Sequence, residues 1–175
     1  KSSAASDVYK RQVIAIAPFF PEYKPFIESS GNKFVMAPAD TESFQIDLAA
    51  LESLVNEHTQ AVIINSPNNP SGVVFSAETL GKVADILGAA AEKYGHPVYI
   101  IADEPYRELV YDGVEVPFIP NIYKDTIVCY SWSKSLSLPG ERIGYVLVAD
   151  DVTDSKTVFA AVAGASRMPV SYRHL

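Results

Sequence analysis

The sequence is poor in the residues that build disulfides, membrane spans and nucleic-acid surfaces. One cysteine, Cys129, stands among 175 residues. That excludes an internal disulfide and points to a reducing, cytoplasmic setting, with a buried free thiol inside the apolar run "TIVCYSW". No apolar run approaches the roughly 20 residues needed to cross a bilayer, and the first residues lack the basic and apolar segments of a secretion signal. Basic residues form no long cluster, and the net charge is -7. Neither nucleic acid nor an anionic membrane is therefore expected as a partner. His58, His96 and His174 are scattered, without HExxH spacing or companion cysteines, so no metal site is expected. There is no GxxxxGK[ST], GxGxxG or GxSxG string either, which excludes the P-loop, the dinucleotide fingerprint and the nucleophile elbow of acyl transfer.

What is present is the composition of a folded domain, 48% hydrophobic and 20% charged, with length enough for one sizeable core. Short apolar runs rich in β-branched residues alternate with longer stretches of helical period. Strands are expected over 13–17, 33–38, 61–66, 98–102, 126–131 and 143–149, the last of these buried. Helices are expected over 48–56, capped by Asp47, over 77–93, capped by Ser76, and over 155–167. Leu80, Val83, Ala84, Leu87 and Ala91 give the middle helix its apolar stripe. This order predicts a layered α/β fold with a mostly parallel sheet. Ligand sites in such folds gather at the carboxyl ends of strands.

Three clusters follow strand ends. "SPNNPSG" (Ser66 to Gly72) reads as a tight turn, or as a rigid Asn69–Pro70 step, cis if need be, that offers the Asn69 amide to a ligand. In "IIADEPY", Asp103 is either a helix cap before Pro105 or the anionic partner of a protonated heterocyclic nitrogen. Tyr106 is either a core aromatic or a hydroxyl donor to the same ligand. "SWSKSLSLPGERIGY" (Ser131 to Tyr145) surrounds Lys134 with small hydroxyl residues and ends near Arg142. Those groups suit a phosphate, and a lysine there serves either as a point charge or as an amine that captures an aldehyde.

In this order, with Lys134 standing 31 positions beyond Asp103, the three clusters resemble the fold type I pyridoxal-phosphate family. The likeness is to its aspartate-aminotransferase-like class I/II enzymes, and it runs over roughly residues 13 to 168. The resemblance implies the α/β three-layer sandwich of that family's large domain, with a mostly parallel sheet, incomplete at both ends. It implies pyridoxal 5'-phosphate as cofactor. Lys134 matches the lysine that holds the cofactor and later moves the proton at the reacting carbon. Asp103 matches the aspartate paired with the ring nitrogen, and Asn69 and Tyr106 match the donors to the ring's 3' oxygen. Ser131, Ser133 and Arg142 match positions around the phosphate. Upstream, "APFFPEY" matches the segment that lays an aromatic ring over the pyridine, here Phe20, and Tyr23 falls near the position that supports the aspartate. A desolvated pocket with Arg142 close by is expected to keep Lys134 neutral as a base. Lys134, Asp103 and Arg142 are therefore expected to converge on one flat, phosphorylated ring.

The activity so implied moves an amino group between an amino acid and a 2-keto acid, as expected of a longer, homodimeric protein. Two parts of the family pattern find no match here. They are the N-terminal phosphate loop, with a tyrosine that reaches across the dimer, and the C-terminal domain with its carboxylate-clamping arginine. The chain alone is accordingly expected to bind cofactor poorly. A lyase or synthase on the same scaffold, and an aminotransferase-like sensing domain of a transcription regulator, stay open as alternatives. Residues 1–12 and 169–175 do not read as family sequence. They are expected to be an extraneous leader and tail around a partial cofactor-binding domain of residues 13–168.

Overall fold

A computed structural model describes residues 11–167. The expected extraneous ends lie outside these, except for Arg11 and Gln12, which lead into the first strand. The elements in chain order are β1 (Gln12–Ile16), α1 (Tyr23–Ser29), β2 (Lys33–Ala37), α2 (Leu48–Leu54), β3 (Thr59–Asn65) and α3 (Ala77–Tyr94). They continue with β4 (Tyr99–Asp103), a 3-10 turn (Ile119–Asn121), β5 (Thr126–Ser131), α4 (Trp132–Ser135), β6 (Gly144–Val148) and α5 (Ser155–Arg167). The strands form one sheet in the order β2-β1-β3-β4-β5-β6. β1 to β5 run parallel and β6 returns antiparallel at the edge. The fold is the layered α/β sandwich that the strand and helix order predicts.

Both faces of the central strands are apolar because both are covered. Ile14, Ile16, Val62, Ile64, Ile100 and Ala102 join Leu51 of α2 and Leu80, Val83 and Leu87 of α3 in the larger core. The alternate residues Val13, Ala15, Ala61 and Ile63 meet Tyr23 and Ile27 of α1 in a smaller core on the other face. α3 begins where Ser76 accepts a hydrogen bond from the Thr79 amide (3.0 Å) and ends at Gly95 in the left-handed conformation, φ 73°.

One expectation is corrected. The run 143–149 forms a strand, but it is not buried: Tyr145, Val146 and Leu147 are exposed. β6 is an edge strand whose only partner among the described residues is β5. Its start is fixed by Gly144, paired with Ser131, where a side chain would collide with the Tyr130 carbonyl oxygen.

Candidate functional site

Parallel strands deliver their carboxyl ends to one edge of the sheet, and an antiparallel neighbour brings its amino end there. Phe20 follows β1, Asn69 follows β3, Asp103 closes β4, Ser131 closes β5, and Arg142 precedes β6. The candidates therefore share one edge, although they are not all brought into contact.

Asp103 is the last residue of β4, not a helix cap. Alternation turns its side chain to the face that Ile101 occupies, and there its carboxylate accepts a hydrogen bond from the Tyr23 hydroxyl of α1. Burial raises the Asp103 pKa, and the Tyr23 bond works against that rise. The Tyr23 hydroxyl is itself pushed up by burial, then by the facing carboxylate. Cys129, register partner of Asp103 on β5, has its thiol pushed up to about 11 by burial and then by Asp103, so it is an unreactive neighbour. Phe20 sits half-buried with its ring edge-on to Tyr23, centroids 5.8 Å apart. These four side chains line an apolar cleft of about 520 Å³.

At the end of the neighbouring strand, a residue not singled out in the sequence connects the parts. Asn65 ends β3; its amide donates to the Asp103 carbonyl (2.8 Å) and its side-chain oxygen accepts from the Asn69 backbone amide (2.6 Å). A buried amide closing the apolar run 61–64 is the signal that would have found it. The Asn69–Pro70 bond is cis. The Asn69 side-chain amide donates to the Tyr106 hydroxyl at 3.4 Å. The Lys134 ammonium in turn stands 5.8 Å from the centre of the Tyr106 ring. A continuous line thus runs from Tyr23 through Asp103, Asn65, Asn69 and Tyr106 to Lys134. Asn69 and Tyr106 also line a second cleft, of about 470 Å³.

The phosphate candidates are arranged differently. Ser131 caps the short α4, accepting from the Ser133 amide (3.1 Å) and donating to the Ser133 hydroxyl (2.7 Å). Arg142, at φ 54°, donates to the Pro139 carbonyl (3.2 Å). Its guanidinium is exposed, and so is Lys134. The desolvated pocket expected around Lys134 is therefore not built by the described residues. The stretch that follows α4 and runs into β6 is exposed from Leu136 to Leu147, and burial needs atoms on its open side. Among the described residues no group of three His, Cys, Asp or Glu could hold a metal, and no helix is long and apolar enough to cross a membrane.

Comparison with known proteins places these features in context. Residues 5–171 match the family model of Aminotransferase class I and II. A crystallised amino transferase from Eubacterium rectale is 56% identical and superposes with a TM-score of 0.88, over 93% of this chain and 42% of that one. The aromatic-amino-acid aminotransferase 2 of Thermococcus litoralis is 32% identical over 85% of this chain and 38% of its own length. A probable N-acetyl-LL-diaminopimelate aminotransferase of Bacillus subtilis is 32% identical over 81% of this chain and 34% of its own. The chain thus spans well under half the length of the proteins it matches.

Proposed function

This chain belongs to the class I and II aminotransferase family, and from that premise we propose that it is the cofactor-holding part of an enzyme moving amino groups between amino acids and 2-keto acids. The observation that carries the proposal is the line of neighbours at the carboxyl ends of β3, β4 and β5. There a desolvated carboxylate, an amide, a phenol and a lysine amine succeed one another.

Those residue types fit pyridoxal phosphate. Asp103 is costly as a buried anion unless a cation meets it, and a protonated ring nitrogen is such a cation. Phe20, in the same cleft, offers a ring face. Asn69 and Tyr106 supply donors for a phenolate oxygen, while Ser131, Ser133 and Arg142 supply donors for a phosphate. When bound, the cofactor supplies an aldehyde that captures an amino group and a ring that draws off the electron pair released at the amino acid's Cα. Lys134 would do the rest: its Nζ would hold the cofactor at rest, then as a free amine take the proton from Cα and return it at the cofactor's former aldehyde carbon. The net exchange leaves one amino acid as its keto acid and converts a second keto acid to its amino acid. The relatives carry aminotransferase names with differing substrates. That favours transfer over the lyase, synthase and sensing alternatives and leaves the substrate a matter for assay.

The family resemblance supports a homodimer of the longer protein, and a single unpaired thiol suits the cytoplasm. No nucleic acid or membrane partner is proposed. The test is to load the intact protein with pyridoxal phosphate and supply amino acids with a 2-keto acid. New amino acid is expected from at least one pair, and a folded, loaded protein that transfers none would contradict the proposal.

A further inference from the structure

Tyr106 accepts a hydrogen bond from Asn69 and has the Lys134 ammonium 5.8 Å from its ring centre, yet it stands beyond the end of β4, where the sheet no longer holds the chain. We propose that the buried Glu104 and the half-buried Arg107 form a brace that positions Tyr106, a role that rests on the function proposed above.

Tyr106 is flanked on both sides by anchors. Glu104 extends the sheet by one bond, its backbone amide donating to the Cys129 carbonyl (2.9 Å), and its side chain is only 2% exposed. Its carboxylate accepts from Arg107 Nη1 at 3.1 Å. The same guanidinium donates to the Pro117 carbonyl (3.1 Å) and the Val116 carbonyl (2.9 Å), and lies 5.3 Å from the centre of the Phe118 ring. The Arg107 backbone amide returns to the Glu104 carbonyl (3.3 Å), and the Leu109 amide to that of Tyr106 (2.8 Å). One arginine therefore closes the segment 104–118 into a loop and fixes it to the end of β4.

The pair is a poor device for stability alone. A buried ion pair seldom outweighs its desolvation cost. Glu104 Oε1 has no hydrogen-bond partner among the described residues, and burial raises the Glu104 pKa against the opposing pull of Arg107, with Glu108 and Asp103 adding to the rise. What the pair achieves is geometric. The Asn69–Tyr106 contact is already at 3.4 Å, so a small displacement of Tyr106 ends it. A phenol anchored on one side only would not keep that register.

The experiment compares Glu104→Ala, Glu104→Gln and Arg107→Ala in the intact, cofactor-loaded protein, each with and without Tyr106→Phe. The readouts are the pH midpoint of the bound cofactor's visible absorbance and the Tm. Glu104→Ala and Arg107→Ala are expected to move the midpoint in the same direction as Tyr106→Phe, by about half a pH unit, the worth of roughly one hydrogen bond. Each adds almost nothing once Tyr106→Phe is present. Glu104→Gln, which keeps an acceptor for Arg107, shifts it less. A lowered Tm with an unmoved midpoint, or shifts that add fully to Tyr106→Phe, would overturn the brace. Should Glu104→Ala fail to fold, Arg107→Ala and Glu104→Gln carry the same comparison. A second readout needs no cofactor. In protein labelled with fluorotyrosine, the fluorine resonance lost in Tyr106→Phe is expected to shift or broaden in Glu104→Ala and Arg107→Ala, and an unchanged line overturns the brace. If no visible band forms at all, the proposed function fails, while the fluorine signal still decides this point.

Discussion

Two neighbouring stretches of one sheet edge are built to different standards. At the ends of β3 and β4, Asn65, Asp103, Tyr23 and Asn69 are tied to one another across 80 positions of sequence by partly buried hydrogen bonds. At the end of β5, the side-chain bonds of Ser131, Ser133 and Arg142 stay within 12 positions, the longest from the Ser131 hydroxyl to the Ile143 carbonyl, and the stretch from Leu136 to Leu147 is exposed. The first stretch holds its geometry through its own long-range contacts. The second holds its side chains by local bonds and leaves Lys134 and Arg142 exposed, so a ligand or further chain would complete it. A carboxylate needs such rigid support because an error in its placement strands a buried charge. Phosphate donors tolerate freedom, since an exposed anion can gather them.

This contrast sets the order of expected effects. Lys134→Ala, which removes the amine itself, should lower transfer by about 1000-fold or more while leaving the fold intact; steady-state assays and circular dichroism check the two halves. Asp103→Asn should cost about 100-fold in kcat, since the ring nitrogen loses its anionic partner. The same substitution has a signature in the cofactor-free protein. The folded pKa of Asp103 lies above its unfolded value, so the folded state holds its proton more tightly, and stability falls as pH rises through the folded pKa. Urea midpoints should therefore favour Asp103→Asn over the parent at pH 7, with the advantage shrinking toward pH 4. An advantage that grew on acidification would mean the Tyr23 bond dominates instead.

Gly144→Ala ranks next. It forces the backbones of β5 and β6 apart at Tyr130 and should cost about 1–3 kcal/mol in unfolding experiments, disturbing the exposed stretch from its base. Arg142→Ala should have the smallest effect on stability, within about 0.5 kcal/mol, because among the described residues its guanidinium bonds only the nearby Pro139 carbonyl. A large loss there would erase the contrast between the two stretches.

The sequence made the sheet legible because its central strands are β-branched runs apolar on both faces, and α3 legible because Ser76, a helical stripe and Gly95 mark its start, face and end. α1 was not legible. "YKPFIES" has only seven residues, Glu22 gives no side-chain cap, and Pro25 reads as a breaker. The proline is tolerated because it lies in the first turn, where its missing N–H would have had no partner. Nor could the sequence show that β6 is exposed, since its apolar run looks like any covered strand and exposure depends on what lies beside it. At the site, strand-end placement singled out Asp103, Asn69 and Tyr106. Asn65 escaped because its role is to bridge, and bridging depends on long-range geometry. Glu104 and Arg107 escaped for the same reason, hidden as ordinary charges beside the carboxylate that drew attention.

The central claim is that Lys134 is the amine that holds the cofactor. Reducing the pyridoxal-phosphate-loaded intact protein with borohydride and mapping the modified peptide tests this most directly. The pyridoxyl group is predicted on Lys134 within "SWSKSLSLPGER". Its recovery on another lysine, or no stable modification of a folded and loaded protein, would contradict the account.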